Sequence, residues 1–204
     1  MNPEPEIRRL LDVMPASGRM MVKILSKPQQ SVVIESPFPL PWKPERLIYI
    51  NFDLWRRLSK PQRDLLILRT QGWLCGVKWF KPELYQGVAL AGVLGAIAEG
   101  VQGDAVGVVV AGGLAGLALT RIWQSSRSAQ LELEADETAI RVALRRGYSE
   151  PEAATHLLSA IEAVAKIEGR PGLNFTELIR LQNLRAIAGL SGVGVPETLR
   201  QDGR

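Results

Sequence analysis

The pattern of apolar and polar positions divides the chain into a mixed N-terminal region, an apolar middle and an amphipathic remainder. The stretches "SVVIESPFPLPW" and "RLIYIN" are rich in β-branched and aromatic residues, so they predict two short strands separated by a proline-rich loop. "FDLWRRL" predicts a brief helical turn after them. The polar residues 1–19 contain one amphipathic stretch, "EIRRLLDVM", which predicts a loosely attached helix.

The first long helix is predicted to follow Ser59. The Ser59 hydroxyl is a suitable N-cap group and Gln62 completes a capping box, so we expect a helix from about Lys60 to Phe80. Gly72 lies inside this helix, where glycine costs about 1 kcal/mol relative to alanine. Its presence predicts close packing against a neighbouring element.

Three amphipathic helices are predicted in the C-terminal part of the chain. "LELEADETAIRVALRRG" and "SEPEAATHLLSAIEAVAKIEG" form two of them, with Gly147 as a C-cap and Ser149 as the next N-cap, and the last runs from about Asn174 to Leu190. The expected fold class is therefore α+β, mainly helical with a small N-terminal β element. We expect a polar segment at 1–19, a single domain at 20–190 and a flexible tail at 191–204.

The apolar middle of the chain, residues 84–123, predicts a helical hairpin. Its two segments are "LYQGVALAGVLGAIA", with 15 residues, and "AVGVVVAGGLAGLALTRIW", with 19, separated by the polar "EGVQGD". A membrane-spanning helix needs about 20 apolar residues. Both segments carry small residues at every fourth position, which lets two helices pack closely in lipid. These residues are Gly87, Ala91, Gly95, Gly107, Ala111 and Ala115.

The charges around this hairpin predict its orientation. Lys78 and Lys81 precede it, and Arg121 and Arg127 lie at its other end. The positive-inside rule then places both termini in the cytoplasm, with the hairpin in the membrane. The alternative is a glycine-rich hairpin buried inside a cytoplasmic domain, because its first segment is short for a bilayer.

Composition excludes some classes of function. The net charge of +4 results from 25 basic and 21 acidic residues, and this balance does not indicate nucleic-acid binding. A single cysteine, Cys75, excludes an internal disulfide. A single histidine, His156, lies about two dozen positions beyond Glu132, so the usual nitrogen ligands of a catalytic zinc are missing. We therefore expect no metal, no cofactor and no catalytic residue.

Two sequence stretches carry a family resemblance. "RLIYINFDLWRRLSKPQRDLLILRTQGW" and "ELEADETAIRVALRRGYSEPEAATHLLSAI" resemble the zinc-helix frame and the E-x-x-A-D region of the gluzincin metallopeptidases related to the CAAX prenyl-protein endopeptidase. The resemblance covers about residues 30–190 and implies a metallopeptidase-like helical core with the apolar hairpin inserted in it. The whole chain also resembles a small uncharacterised family of photosynthetic prokaryotes.

The resemblance implies which positions correspond to a metallopeptidase site. Arg69 and Trp73 fall where two histidine ligands would be, and Thr70 where the general-base glutamate would be. Glu132 falls on the third ligand and Asp136 on the aspartate that supports it. Our hypothesis is that the Arg69 guanidinium replaces the metal and pairs with Glu132, while Trp73 stacks over it or fills the place of the second histidine.

These observations lead to one expected function and two alternatives. The chain is expected to be a non-catalytic, peptidase-like membrane protein that binds a protein partner as a scaffold or assembly factor. One alternative is a soluble domain that forms homo-oligomers through the glycine-rich hairpin. The other is an enzyme that uses Glu132, Asp136 or Glu134 as a carboxylate acid or base.

Overall fold

The structure, a computed structural model, describes residues 3–40, 45–76 and 129–192. The chain divides into two compact units, residues 1–77 with 129–204 and residues 78–128, and all described residues belong to the first unit. The predicted apolar hairpin at 84–123 and most of the predicted tail lie outside the described residues. Among the residues that the structure does describe, no helix is both long and apolar enough to cross a bilayer.

The described part of the chain is mainly helical, with a small sheet near its N-terminal end, which agrees with the expected α+β class. In chain order its elements are α1 (Glu4–Val13), α2 (Ala16–Met21), β1 (Val22–Ser26), β2 (Ile34–Glu35), β3 (Arg46–Ile50), α3 (Phe52–Trp55), α4 (Lys60–Gly76), α5 (Ala129–Leu144), α6 (Glu150–Ile167) and α7 (Phe175–Ile187).

The sheet has three strands in the order β1-β3-β2. Strand β1 is parallel to β3, with Ile24 opposite Ile48, while β2 is antiparallel to β3. The sequence analysis did not predict β1, although Val22 and Ile24 are buried on either side of the exposed Lys23. The strand predicted in "SVVIESPFPLPW" is only two residues long. The prolines that follow lack the amide hydrogen that a strand needs for pairing.

Helix α1 is packed into the core, unlike the loosely attached helix expected from the sequence. Leu10 and the adjoining Met14 are fully buried. The Glu6 carboxylate accepts hydrogen bonds from Trp55 Nε1 at 3.2 Å and from Arg63 Nη1 at 2.8 Å. An apolar stripe at helical spacing gains its stability from burial, and here the polar face of the helix is also bonded to α3 and α4.

A second contact of α1 surrounds the buried carboxylate of Asp64. The Arg9 guanidinium forms an ion pair with Asp64 and donates to both oxygens of Glu6, at 2.9 and 2.8 Å. The Tyr148 hydroxyl donates to Asp64 Oδ2 at 3.0 Å. Burial and this hydrogen bond raise the pKa of Tyr148 to about 12. These bonds join α1, α4 and the turn after α5.

Local capping interactions define most of the helix ends. Gln62 Oε1 accepts from the Ser59 amide at 2.8 Å, which is one half of the predicted capping box. Both halves of a box are present at the start of α6, between Ser149 and Glu152. Gly147 has a φ of 93° after the last turn of α5, as its predicted C-cap role requires.

Helices α4 and α5 are antiparallel and pack closely at Gly72. A Cβ atom on Gly72 would lie 3.3 Å from both the Ala135 carbonyl oxygen and the Thr138 side chain. One turn later, a Cβ on Gly76 would lie 3.4 Å from Leu131. The close packing predicted at Gly72 is therefore confirmed, and α5 is the neighbour.

We predict that Gly72→Val destabilises the protein by about 1–3 kcal/mol, because the larger side chain forces α4 and α5 apart. The free energy of unfolding, measured by chemical denaturation, checks this. Gly172→Val is the matched control, since a Cβ there meets nothing within 4 Å. Equal effects of the two substitutions would contradict the packing explanation.

Candidate functional site

Four charged side chains from three helices meet in the region that the resemblance marked as the vestigial site. Arg69 comes from α4, Glu132 and Asp136 from α5, and Arg180 from α7. Glu132 and Asp136 are four residues apart, so they lie on the same face of α5. We refer to these residues, Arg69, Glu132, Asp136 and Arg180, as the charge quartet.

Each carboxylate of the charge quartet has an arginine partner. The Arg69 guanidinium forms an ion pair with Glu132, and its Nε lies 3.7 Å from Asp136 Oδ1. Arg180 binds Asp136 through two hydrogen bonds of 2.8 Å, from Nε to Oδ2 and from Nη2 to Oδ1. Arg180 Nη1 is also 4.0 Å from Glu132 Oε2. The two parallel hydrogen bonds from Arg180 to Asp136 form a bidentate contact, and such contacts are among the strong arginine–carboxylate interactions.

The side chains of the charge quartet are largely buried, so each charge needs a partner of opposite sign. The side chain of Asp136 is fully buried and that of Arg180 nearly so, whereas those of Arg69 and Glu132 are 18% and 19% exposed. A buried charge without a partner costs several kcal/mol. The charge quartet contains two positive and two negative groups, so its charges balance within the site.

Arg69 keeps its positive charge in these surroundings. Burial lowers the pKa of Arg69 to about 9, and the nearby Arg180 acts in the same direction, while Asp136 and Glu177 oppose the shift. A pKa of about 9 still leaves the guanidinium protonated at neutral pH. The charged form is also the one that the ion pair with Glu132 stabilises.

A second set of ion pairs lies at the start of α7. Arg170 Nη1 donates to Glu177 Oε2 at 2.9 Å, and Arg170 Nε lies 3.0 Å from Glu168 Oε2. Glu168 Oε1 accepts from the Val33 amide at 2.8 Å. These contacts connect the ends of α6 and α7 to the chain just before β2, so the ion pairs fix the helices relative to the sheet.

The structure supports the hypothesised pairing of Arg69 with Glu132 and gives a different account of Trp73. Among the described residues, the ring partner of Trp73 is Phe38, edge-on at a centroid distance of 6.3 Å. The buried Trp73 Nε1 finds no hydrogen-bond partner within the described ranges. Trp73 therefore packs beside the loop that contains Phe38, and in the part of the chain that the structure describes no cation is stacked on its ring.

The other predicted positions are occupied by side chains with structural partners. Thr70 is buried, and its hydroxyl donates to the Leu66 carbonyl oxygen at 2.8 Å within the same helix. Glu134 is exposed and accepts from Gln130 at 3.0 Å, so it does not join Glu132 and Asp136. His156 packs edge-on against Tyr148 at a ring distance of 6.1 Å, beyond the far end of α5.

The charge quartet does not fit a divalent cation. The positive Arg69 guanidinium lies directly against Glu132, which is the carboxylate that a metal would need, and Arg180 occupies both oxygens of Asp136. The nitrogen and sulfur ligands typical of zinc are not beside them. In the described ranges, no group of three or more His, Cys, Asp or Glu side chains could hold a metal ion.

Arg180 was not predicted from the sequence. It lies between the apolar Ile179 and Leu181, three residues after Glu177, and it is buried with them. A charged residue inside an apolar run of an amphipathic helix signals a buried partner, because an unpaired one would be too costly. That signal does not name the partner, which lies 44 positions earlier in the chain.

Comparison with known proteins identifies a family. The family described as "Protein of unknown function (DUF3318)" matches residues 8–148, well over half of the chain. The chain belongs to this family. The matched region contains Arg69, Glu132 and Asp136 but ends before α7.

One relative gives a cellular context. The chain is 30% identical, over 193 residues, to the thylakoid membrane protein slr1949 of Synechocystis sp., and the alignment covers 90% of this chain and 87% of the relative. Together with the family match, this bears out the resemblance to a family of photosynthetic prokaryotes. No solved structure matches the chain.

We predict that Arg69→Met destabilises the protein by about 3 kcal/mol, because it leaves Glu132 and Asp136 with one arginine between them. Chemical denaturation of the full chain measures the loss. The matched control is Arg56→Met, whose exposed guanidinium is 3.8 Å from Asp53 and should contribute less than about 0.5 kcal/mol. A similar loss of unfolding free energy from both substitutions would show that the charge quartet stabilises the fold no more than an exposed ion pair does.

Proposed function

We propose that the chain is a membrane-associated, non-catalytic protein with a metallopeptidase-like core, and that it acts by binding a protein partner as a scaffold or assembly factor. The observation that carries this proposal is the charge quartet. In it, Arg69 pairs with Glu132, which the resemblance aligns with a zinc ligand, and Arg180 pairs with Asp136, which it aligns with the supporting aspartate. The charges of the site therefore satisfy one another.

The arrangement of the carboxylates argues against the alternative of carboxylate catalysis. A general base must accept a proton from a substrate within hydrogen-bond distance. Both oxygens of Asp136 already accept hydrogen bonds from Arg180, and Glu132 is held by Arg69. On this proposal the ion pairs hold α4, α5 and α7 together. The protein then acts by binding a partner at another part of its surface.

Membrane association is supported by the relative and by the sequence. The relative is a thylakoid membrane protein, and the present chain carries the apolar residues 84–123 between basic flanking residues. By the positive-inside rule, both termini would lie on the cytoplasmic side. The described residues supply the polar part of such a protein, and residues 84–123 supply its attachment.

The metallopeptidase-like origin can be tested by restoring the ligands. We predict that the triple variant Arg69→His, Thr70→Glu, Trp73→His binds zinc with one-to-one stoichiometry, because it restores two histidines one turn apart at the positions that the resemblance pairs with Glu132. Elemental analysis of purified protein measures this. Adding Glu132→Gln to the triple variant is the control and should lower the zinc affinity by at least tenfold.

Two outcomes would count against the proposal in different ways. Stoichiometric zinc in the unmodified protein would show that the site is not metal-free. A triple variant that keeps its helical circular-dichroism spectrum but takes up no zinc would remove the metallopeptidase-like core from the proposal.

The binding role has its own test. We predict that the tagged full chain, purified from detergent-solubilised native membranes, retains a partner protein in a fixed ratio that excess untagged chain displaces. Quantitative mass spectrometry with and without the untagged competitor measures this. If the competitor displaces no protein, the scaffold role is wrong.

A further inference from the structure

The described domain connects to residues 77–128 at one end of the α4–α5 pair. The described part of α4 extends to Gly76, and that of α5 starts at Ala129. The two ends are adjacent, because a Cβ on Gly76 would lie 3.4 Å from Leu131 Cδ1. The apolar stretch 84–123 is thus joined to the domain through neighbouring points on a single surface, which we call the exit end.

The first turns of α7 lie at this exit end. Ile179 packs against Leu133 and Ala129, which belong to the first two turns of α5. Arg180 reaches Asp136, one turn further along α5. The N-terminal residues of α7 are therefore beside the point where the chain returns from the apolar stretch.

Two large apolar side chains are exposed on this part of α7. Phe175 is 74% exposed and Leu178 is 54% exposed. They are three residues apart and so share one face of the helix. Further along α7, the exposed position is occupied by Arg185, which lies 3.7 Å from Glu162. The exposed face of α7 is thus apolar at the exit end and charged away from it.

Isolated exposed apolar residues are common on protein surfaces and need no explanation. The exposure of Phe175 and Leu178 is informative because of where they lie. Both lie on α7, which packs through Ile179 against Ala129, the residue at which the described chain resumes. The sequence between Gly76 and Ala129 carries Lys78, Lys81 and Arg127 on either side of its apolar stretch. Basic residues near a membrane are attracted to anionic lipid headgroups, and apolar side chains beside them enter the interfacial region.

We propose that the exit end of the domain lies on the lipid surface, with Phe175 and Leu178 inserted among the headgroups of the bilayer. This inference rests on the membrane association proposed above and adds an orientation to it. The C-terminal end of α5 and the end of α7 face away from the membrane.

The test uses fluorescent labels at single cysteines in the full chain. Phe175→Cys and Leu178→Cys are made in a Cys75→Ser background and labelled with an environment-sensitive fluorophore. The protein is reconstituted into vesicles of phosphatidylcholine and phosphatidylglycerol that carry a nitroxide quencher near the headgroups. Flotation first measures whether the protein is bound to the vesicles.

Two other exposed leucines provide matched controls. Leu144→Cys lies at the opposite end of α5, about 20 Å from Leu131 at 1.5 Å per residue, and Leu190→Cys follows the end of α7. Their native side chains are 45% and 66% exposed, comparable to the test positions. We expect severalfold stronger quenching of the labels at positions 175 and 178 than of those at positions 144 and 190.

The outcomes distinguish the proposed orientation from the membrane association on which it rests. Protein that floats with the vesicles but is quenched equally at all four positions overturns the orientation and leaves membrane association standing. Protein that does not float overturns both. Labels at 175 and 178 that are already shielded from aqueous iodide without lipid indicate that protein covers this face, which also overturns the inference.

Discussion

The packing of three helices depends on the contacts of one buried carboxylate, that of Asp136. Asp136 is fully buried, Arg180 donates to both of its oxygens, and Arg69 lies close by. A buried charge without such partners costs several kcal/mol. These contacts come from three different helices, so α4, α5 and α7 must hold one arrangement for the charges to be neutralised. The close approach of α4 to α5 at Gly72 completes that arrangement.

The charge quartet also connects the structure to the proposed function. A hydrolytic zinc site needs ligands that are free to bind the metal and a carboxylate that is free to accept a proton. On the proposed function, Arg69 and Arg180 take the place of that cation, and the ion pairs hold helices together instead of supporting chemistry. On this proposal the activity belongs to the surface of the protein, where Phe175 and Leu178 are exposed on the helix that packs against Ala129.

Several features of the fold could be predicted from the sequence because they depend on residues close together in the chain. The capping box of Ser149 with Glu152 and the turn at Gly147 involve neighbours within three or four positions. The pairing of Arg69 with Glu132 was also predicted, although the two residues are distant in sequence. That prediction depended on a family resemblance that placed both of them in one site.

The sequence by itself indicated the longer helices, several of their ends and the overall α+β class. Only the tertiary structure showed that β1 pairs with β3, that α1 is held in the core and that Arg180 is the partner of Asp136. The physical reason is the same in all three cases. Capping hydrogen bonds form within one turn, whereas strand partners and buried counter-charges are selected by packing between distant segments, which no local pattern records.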